Sequence, residues 1–259
     1  MKLPIYQIDA FTNQLFEGNP AAVIPLQEWL DDDTLSKIAA ENNLAETSFF
    51  VPTENGFHIR WFTPSVEVDL CGHATIAAAH VIFNYLDYTG DEIIFDSRSG
   101  PLTVHKKDSW LTLDFPVDHF QIAVPPPALV EGVKSGTVLE VFKGKFDYMV
   151  VMDSEEEVQD LEIDIIVLST IPTRGIIITG KDVDFVSRYF APQSGIDEDP
   201  VTGSAHTTLT PYWAEKLEKS TLDAKQISKR GGFLRCELVG ERVKISGESK
   251  LYLTGEIEI

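Results

Sequence analysis

Cysteine is almost absent from this chain of 259 residues: Cys71 and Cys236 are the only two, 165 positions apart. Two distant thiols cannot build a disulfide framework, so both are expected reduced. The histidines, His58, His73, His80, His105, His119 and His206, form neither an H-x-x-x-H nor an H-E-x-x-H spacing. No metal centre is therefore expected. Basic residues are few, 21 against 41 acidic, and the net charge is −20. Binding to a nucleic-acid backbone needs a basic face that displaces counterions, so that class of partner is excluded. The acidic residues are spread along the chain, as a solvated surface would have them. No apolar run reaches the roughly 18 to 20 residues of a membrane helix. Met1-Lys2-Leu3-Pro4 opens straight into strand-like sequence without a leader pattern. A soluble, cytoplasmic protein with no membrane partner is the expectation. A glycine-rich dinucleotide loop and a G-x-S-x-G serine elbow are both missing, which removes a nicotinamide enzyme and a serine hydrolase.

What the chain does have is a repeat. Arg60-Trp61-Phe62-Thr63-Pro64 is followed by Cys71-Gly72-His73-Ala74, and Arg188-Tyr189-Phe190-Ala191-Pro192 by Thr202-Gly203-Ser204-Ala205. The arginines lie 128 positions apart and the glycines 131, about half of 259. Units of this length are domains rather than solenoid repeats, and a cleft where two such halves face each other is the expected ligand site.

Each half opens on strand-like sequence. In the first, Leu3 to Phe11 leads through a turn at Glu17-Gly18-Asn19-Pro20 to the apolar run Ala21 to Leu26. Asp31-Asp32-Asp33 then supplies the acidic start of a helix. Thr47 to Val51 and Phe57 to Phe62 read as strands. Ala74 to Phe83 is apolar on nearly every face, which marks a helix enclosed on all sides. The second half repeats the order with Tyr148 to Met152, an acidic helix start at Asp153 to Glu157, Gly175 to Thr179 and the second arginine motif. Its last helix, Ala205 to Leu217, is interrupted in pattern by threonines and Pro211. The class is α+β, two pseudo-symmetric halves. Residues 1–117 form the first, 128–250 the second, with the proline-rich Val124 to Pro127 as linker and the strand near 251–259 pairing back onto the first half.

Both glycine motifs precede helices, where unsatisfied backbone N–H groups suit a carboxylate. Gly72, Gly203 and the hydroxyl of Ser204 are thus candidate substrate-binding groups, set against the plainer reading of two tight turns. Glu46 stands at the seam of a helix and an apolar strand, where partial burial would raise its pKa toward acid/base use. Glu46 lies 14 positions before Arg60 and Arg174 lies 14 before Arg188, so spacing pairs Glu46 with Arg174. His73 is a candidate proton carrier. Asp69 reads as an N-cap and Asp199 as either a turn residue or a site acid.

These segments resemble a known family. Asp9-Ala10-Phe11, Gly18-Asn19-Pro20-Ala21-Ala22-Val23, Asn43-Leu44-Ala45-Glu46-Thr47, the first arginine motif, Glu67 to Thr75 and Glu198 to Ala205 are similar to the signatures of the PhzF-like phenazine-biosynthesis proteins. The resemblance implies a diaminopimelate epimerase-like fold, each half a sheet curled around a central helix. It also implies a homodimer, no cofactor, and proton-shifting isomerisation of a small carboxylate-bearing substrate. On it, Glu46 carries the proton, His73, Asp199 and Ser204 surround the substrate, and the backbone of Gly72 and Gly203 holds its carboxylate. The related epimerases place a cysteine before each motif glycine. Here those positions are Cys71 and Thr202, so two-thiol racemisation is not expected and Cys71 reads as a buried small residue. The competing reading keeps the fold as a non-catalytic scaffold that binds a small anion or a protein.

Overall fold

A computed structural model describes all 259 residues. The chain divides into two compact units, Met1–Asp114 with Ser246–Ile259, and Phe115–Ile245. No helix is long and apolar enough to cross a membrane.

In unit 1, β1 (Lys2–Ala10) and β2 (Asn19–Pro25) are antiparallel, and β2 runs parallel to β3 (Glu46–Thr53). The β2-to-β3 crossover is α1 (Asp32–Asn42). Its N-cap is Asp31, whose carboxylate accepts from the Thr34 N–H at 2.9 Å, the role expected of the acidic run. β3 is antiparallel to β4 (Gly56–Phe62), which also pairs with β5 (Glu67–Val68). After α2 (Gly72–Tyr85), β6 (Glu92–Asp96) pairs parallel to β4. β7 (Leu102–Lys107) and β8 (Trp110–Pro116) follow as antiparallel hairpin partners. Eleven of the fourteen residues of α2 are buried, as its all-round apolar sequence requires. The helix packs on β1, β2 and β3, and the sheet curls about it.

Unit 2 repeats this order. β9 (Gln121–Ile122) and β10 (Val138–Lys143) are antiparallel, so the proline-rich segment after Gln121 lies within this unit, with α3 (Pro127–Gly132) on it. β11 (Asp147–Met152) is antiparallel to β10 and parallel to β12 (Gly175–Lys181). The short helices α4 (Glu155–Gln159) and α5 (Ile165–Leu168) fill that crossover. β13 (Phe185–Ala191) pairs antiparallel with β12 and with β14 (Ile196–Asp199), and parallel with β15 (Thr221–Gln226). β16 (Gly232–Val239) then pairs antiparallel with β15, and β17 (Arg242–Gly247) follows. The last strand, β18 (Ser249–Glu258), returns to unit 1 and pairs with β1 from Lys2↔Glu258 to Ala10↔Ser249.

The central helix of unit 2 is α6 (His206–Leu217), entered through one 3-10 turn at Gly203–Ala205. It covers the stretch expected and continues through Pro211. The ring deprives the Thr207 carbonyl of its helical donor, and the Asp118 N–H fills the gap at 3.2 Å.

Candidate active site

The repeated arginines explain themselves first. Arg60 grips Glu67 with two bonds of 2.7 and 2.8 Å and lies 5.1 Å over the Phe62 ring. Arg188 grips Glu198 at 2.7 and 3.0 Å and lies 5.1 Å over the Phe190 ring. A forked guanidinium on a carboxylate, backed by an aromatic face, fixes the loop that leads to each glycine motif. Glu67 and Glu198 are thereby structural, while Asp199, one residue further on, is left to other partners.

In unit 1 the turn before β2 requires glycine, because Gly18 sits at φ +67° and a Cβ there would meet the Ala10 carbonyl oxygen at 2.3 Å. That turn delivers the fully buried Asn19, whose amide nitrogen lies 3.2 Å from His73 Nδ1. The other ring nitrogen, Nε2, lies 3.0 Å from Glu46 Oε2. Cys71 is the N-cap residue of α2, its carbonyl accepting from the Thr75 N–H and hydroxyl, and its Sγ lies 3.5 Å from His73 Nδ1. Asp69 is exposed and does not cap α2, since no side chain bonds the first turn; the N-cap expectation for Asp69 is corrected. Gly72 begins the helix, with its first N–H groups free of side-chain caps.

Burial pushes the Cys71 pKa up, and the Glu46 carboxylate adds to it, so the group stays a thiol near neutrality. For His73, burial disfavours the charged ring, yet its neighbours Cys71 and Glu46 outweigh it and hold the pKa well above the ordinary value. With Cys71 a thiol, the Glu46 carboxylate is the charge that does this. The result is a buried Glu46–His73 pair at the head of α2 that favours the charged ring. The Asn19 amide can turn either its nitrogen or its oxygen toward Nδ1 as the ring's protonation changes.

In unit 2, Asp199 is buried and accepts from the Thr202 hydroxyl at 2.5 Å. Gln226, also buried, accepts from the Thr202 N–H at 2.8 Å and donates to the Asp199 carbonyl at 2.8 Å, locking the loop between them. His206 holds the Thr202 carbonyl at 2.9 Å through Nδ1; burial lowers its pKa to about 4, so the ring is neutral. Gly203 opens the 3-10 turn and is buried, and Ser204 beside it is half-buried.

One sequence-based equivalence fails. Thr47 faces Phe62 across β3 and β4, and Ile176 faces Phe190 across β12 and β13. With Phe62 matched to Phe190, the counterpart of Glu46 is Gly175, not Arg174: equal spacing along the chain ignored a one-residue offset in the strands. A Cβ on Gly175 would meet the Tyr189 hydroxyl at 2.1 Å. That hydroxyl donates to the fully buried Asp147 at 3.1 Å, and Arg174 forms a forked ion pair with the same carboxylate. Unit 2 therefore fills with a phenol the space that unit 1 gives to Glu46.

Glu46 and His73 are brought into contact, whereas Asp199, Gly203 and Ser204 cluster in unit 2. Sequence reasoning missed Asn19, Gln226 and the Asp147–Arg174–Tyr189 group. Asn19 stood in a quoted family segment and was read only as a turn; Gln226 had no motif to signal it.

The sequence model of the family described as "Phenazine biosynthesis-like protein" matches residues 8–255. The chain belongs to that family. It is 46% identical over 263 residues to an uncharacterized isomerase of Pseudomonas aeruginosa, each chain covered in full (100%). A solved PhzF-family protein of Enterococcus faecalis is 44% identical and superposes with a TM-score of 0.96, again with 100% of both chains covered. A hydroxyproline epimerase of Agrobacterium vitis shares the fold at 11% identity and a TM-score of 0.60, over 99% of this chain and 92% of that one. The fold is that of the PhzF proteins and the epimerases, two pseudo-symmetric halves each built on a central helix.

Proposed function

We propose that this phenazine biosynthesis-like protein is an isomerase that moves a proton on a small carboxylate-bearing substrate, with Glu46 as the group that carries it. The observation that bears most weight is the buried contact of Glu46 with His73 at 3.0 Å. A carboxylate can take a proton from a carbon acid and return it at a second carbon if the ion next to it keeps it ionised and oriented. His73, held by Asn19 on its other side, does both. The C–H bond breaks toward Glu46, its electron pair delocalises into the substrate's adjacent unsaturation, and a new C–H bond forms at the far carbon with the same proton. Such a shift is redox-neutral and calls for no electron acceptor, which agrees with the cofactor-free expectation.

The isomerase names of the relatives support the reading at the level of reaction class. The uncapped start of α2 at Gly72 suits the substrate's carboxylate. In unit 2, Asp199, Gly203 and Ser204 carry the substrate-binding roles that the family resemblance assigns, and a homodimer in the cytoplasm belongs to the same proposal. Sedimentation of the purified chain checks the dimer.

The experiment is deuterium incorporation from heavy water into a panel of cyclic and linear amino and hydroxy acids, read by mass. Incorporation that disappears in Glu46→Gln is expected. Ligand binding with no exchange for any acid would favour the non-catalytic scaffold.

A further inference from the structure

We propose that Trp61 is a further substrate-binding residue: its indole N–H donates to an oxygen of the substrate beside Glu46. The site then selects an acid that carries a carbonyl or hydroxyl acceptor in addition to its carboxylate. This inference rests on the function proposed above and adds a contact to it. Strand alternation fixes the face on which Trp61 lies. Phe49, Val51 and Phe62 pack with Leu35 and Ile38 of α1 in one core cluster, so they mark the α1 face of β3 and β4. Glu46, Ser48 and Trp61 alternate with them and belong to the opposite face, where α2 packs and Glu46 meets His73. On that face Trp61 stands opposite Ser48, two residues along β3 from Glu46. Diagonal neighbours of this kind are roughly 7–8 Å apart at Cα, within reach of an aromatic side chain.

Unit 2 shows which way a ring at this position leans. Tyr189 stands opposite Ile177, two residues along β12 from Gly175. Its hydroxyl reaches back over that glycine, 2.1 Å from where a Cβ would sit, and finds a carboxylate in Asp147 at 3.1 Å. The same lean in unit 1 carries the indole toward Glu46. There the N–H meets no acceptor: Trp61 is 1% exposed and its ring nitrogen is buried without a hydrogen-bond partner. Ser48, opposite, gives its own hydroxyl to the Ala22 carbonyl. A buried donor left unmade is costly, and native folds rarely keep one without a use. An indole offers one donor and no acceptor, so its partner has to be an electron-pair donor such as oxygen. Any molecule that presents a carbon acid to Glu46, itself buried, enters the space that Trp61 borders. The start of α2 suits the substrate's carboxylate, which leaves the indole for a second oxygen.

The test is deuterium exchange by the full-length protein carrying Trp61→Phe or, in place of Trp61, benzothienylalanine, an isostere whose sulfur replaces the N–H. The isostere decides, because it keeps the volume that phenylalanine loses. For an acid of the panel that exchanges, kcat/KM is expected to fall about tenfold in both variants, the effect of one buried hydrogen bond, with the pH profile unmoved. Trp29→Phe should change neither. Without ligand the isostere should melt no lower than the wild type, since no internal bond is lost. Unchanged kcat/KM in the isostere overturns the contact. A displaced pH profile also overturns it, because the indole would then act through Glu46 and not on the substrate, and a lower melting temperature overturns it by revealing an internal partner for the N–H. If acids bind and none exchanges, the isomerase reading falls, and calorimetry with those acids replaces kcat/KM: binding to the isostere about tenfold weaker upholds Trp61, and equal binding overturns it. Binding of no acid overturns both.

Discussion

Around the arginine motif the two units use the same parts, a forked arginine on a glutamate with a phenylalanine ring beneath it. One strand away they part. Unit 1 has Glu46 where unit 2 has Gly175, Trp61 where unit 2 has Tyr189, and Cys71 and His73 where unit 2 has Thr202 and Ser204. In unit 2 the phenol fills the glycine's space and donates to Asp147, which Arg174 neutralises. In unit 1 the same place holds Glu46, whose carboxylate lies 3.0 Å from His73 Nε2, and the indole N–H of Trp61 is buried without a partner. A group satisfied on every side holds a fold; one left wanting partners is available to a ligand. The duplicated frame has been kept while the groups placed on it differ.

That contrast is broken most severely at Arg174. Arg174→Met strands the Asp147 carboxylate in the core and should cost about 3 kcal/mol, the low end for a broken buried pair because the arginine is partly exposed. Urea denaturation measures it; a loss under about 1 kcal/mol would mean unit 2 is as open as unit 1. At Glu46 the expectation is reversed. Glu46→Gln keeps shape and fold while slowing proton exchange at least about a hundredfold, about 2.7 kcal/mol of barrier. Unaltered exchange on a confirmed substrate would remove the acid/base role.

The histidines extend the comparison to pH. His206 in unit 2 has a folded pKa lowered to about 4 by burial, so the unfolded chain takes up a proton that the folded chain refuses. Its contribution is intact above about pH 6.5 and is lost as pH falls toward 4, amounting to about 3 kcal/mol. Melting temperatures of the wild type and His206→Gln across that window should converge toward acid. His73 in unit 1 works in the other sense: its raised pKa gives the Glu46 pair full effect at the ordinary imidazole value and below, and stability falls as pH rises through the raised one. The smallest effect belongs to the shared clamp. Arg60→Lys and Arg188→Lys each lose the fork and should cost about 1 kcal/mol, by nearly the same amount in both units; a severalfold inequality would show that the repeat is not symmetrical in energy.

The duplication, the enclosed helix α2 and the acid-capped α1 were legible because each leaves a local pattern: a repeated motif, an all-round apolar stretch, an acidic run before a helix. That Glu46 and His73 touch was not legible, since nothing in their spacing says that a strand and a helix start would meet. The counterpart of Glu46 was misread because pairing register is settled across strands, not along them. The helix over Ala205 to Leu217 was legible despite Pro211, but the bond that accommodates the proline was not, since it comes from Asp118, distant in sequence and close in space.

The return of β18 to β1 has a consequence for the order of synthesis. Unit 2 is one unbroken stretch, Phe115–Ile245, and it is synthesised in full before β18. Unit 1 begins before unit 2 and is closed after it, its β1 edge waiting unpaired for β18. An exposed strand edge invites pairing with the wrong chain, so during synthesis the vulnerable place is β1, and β18 serves to seal it.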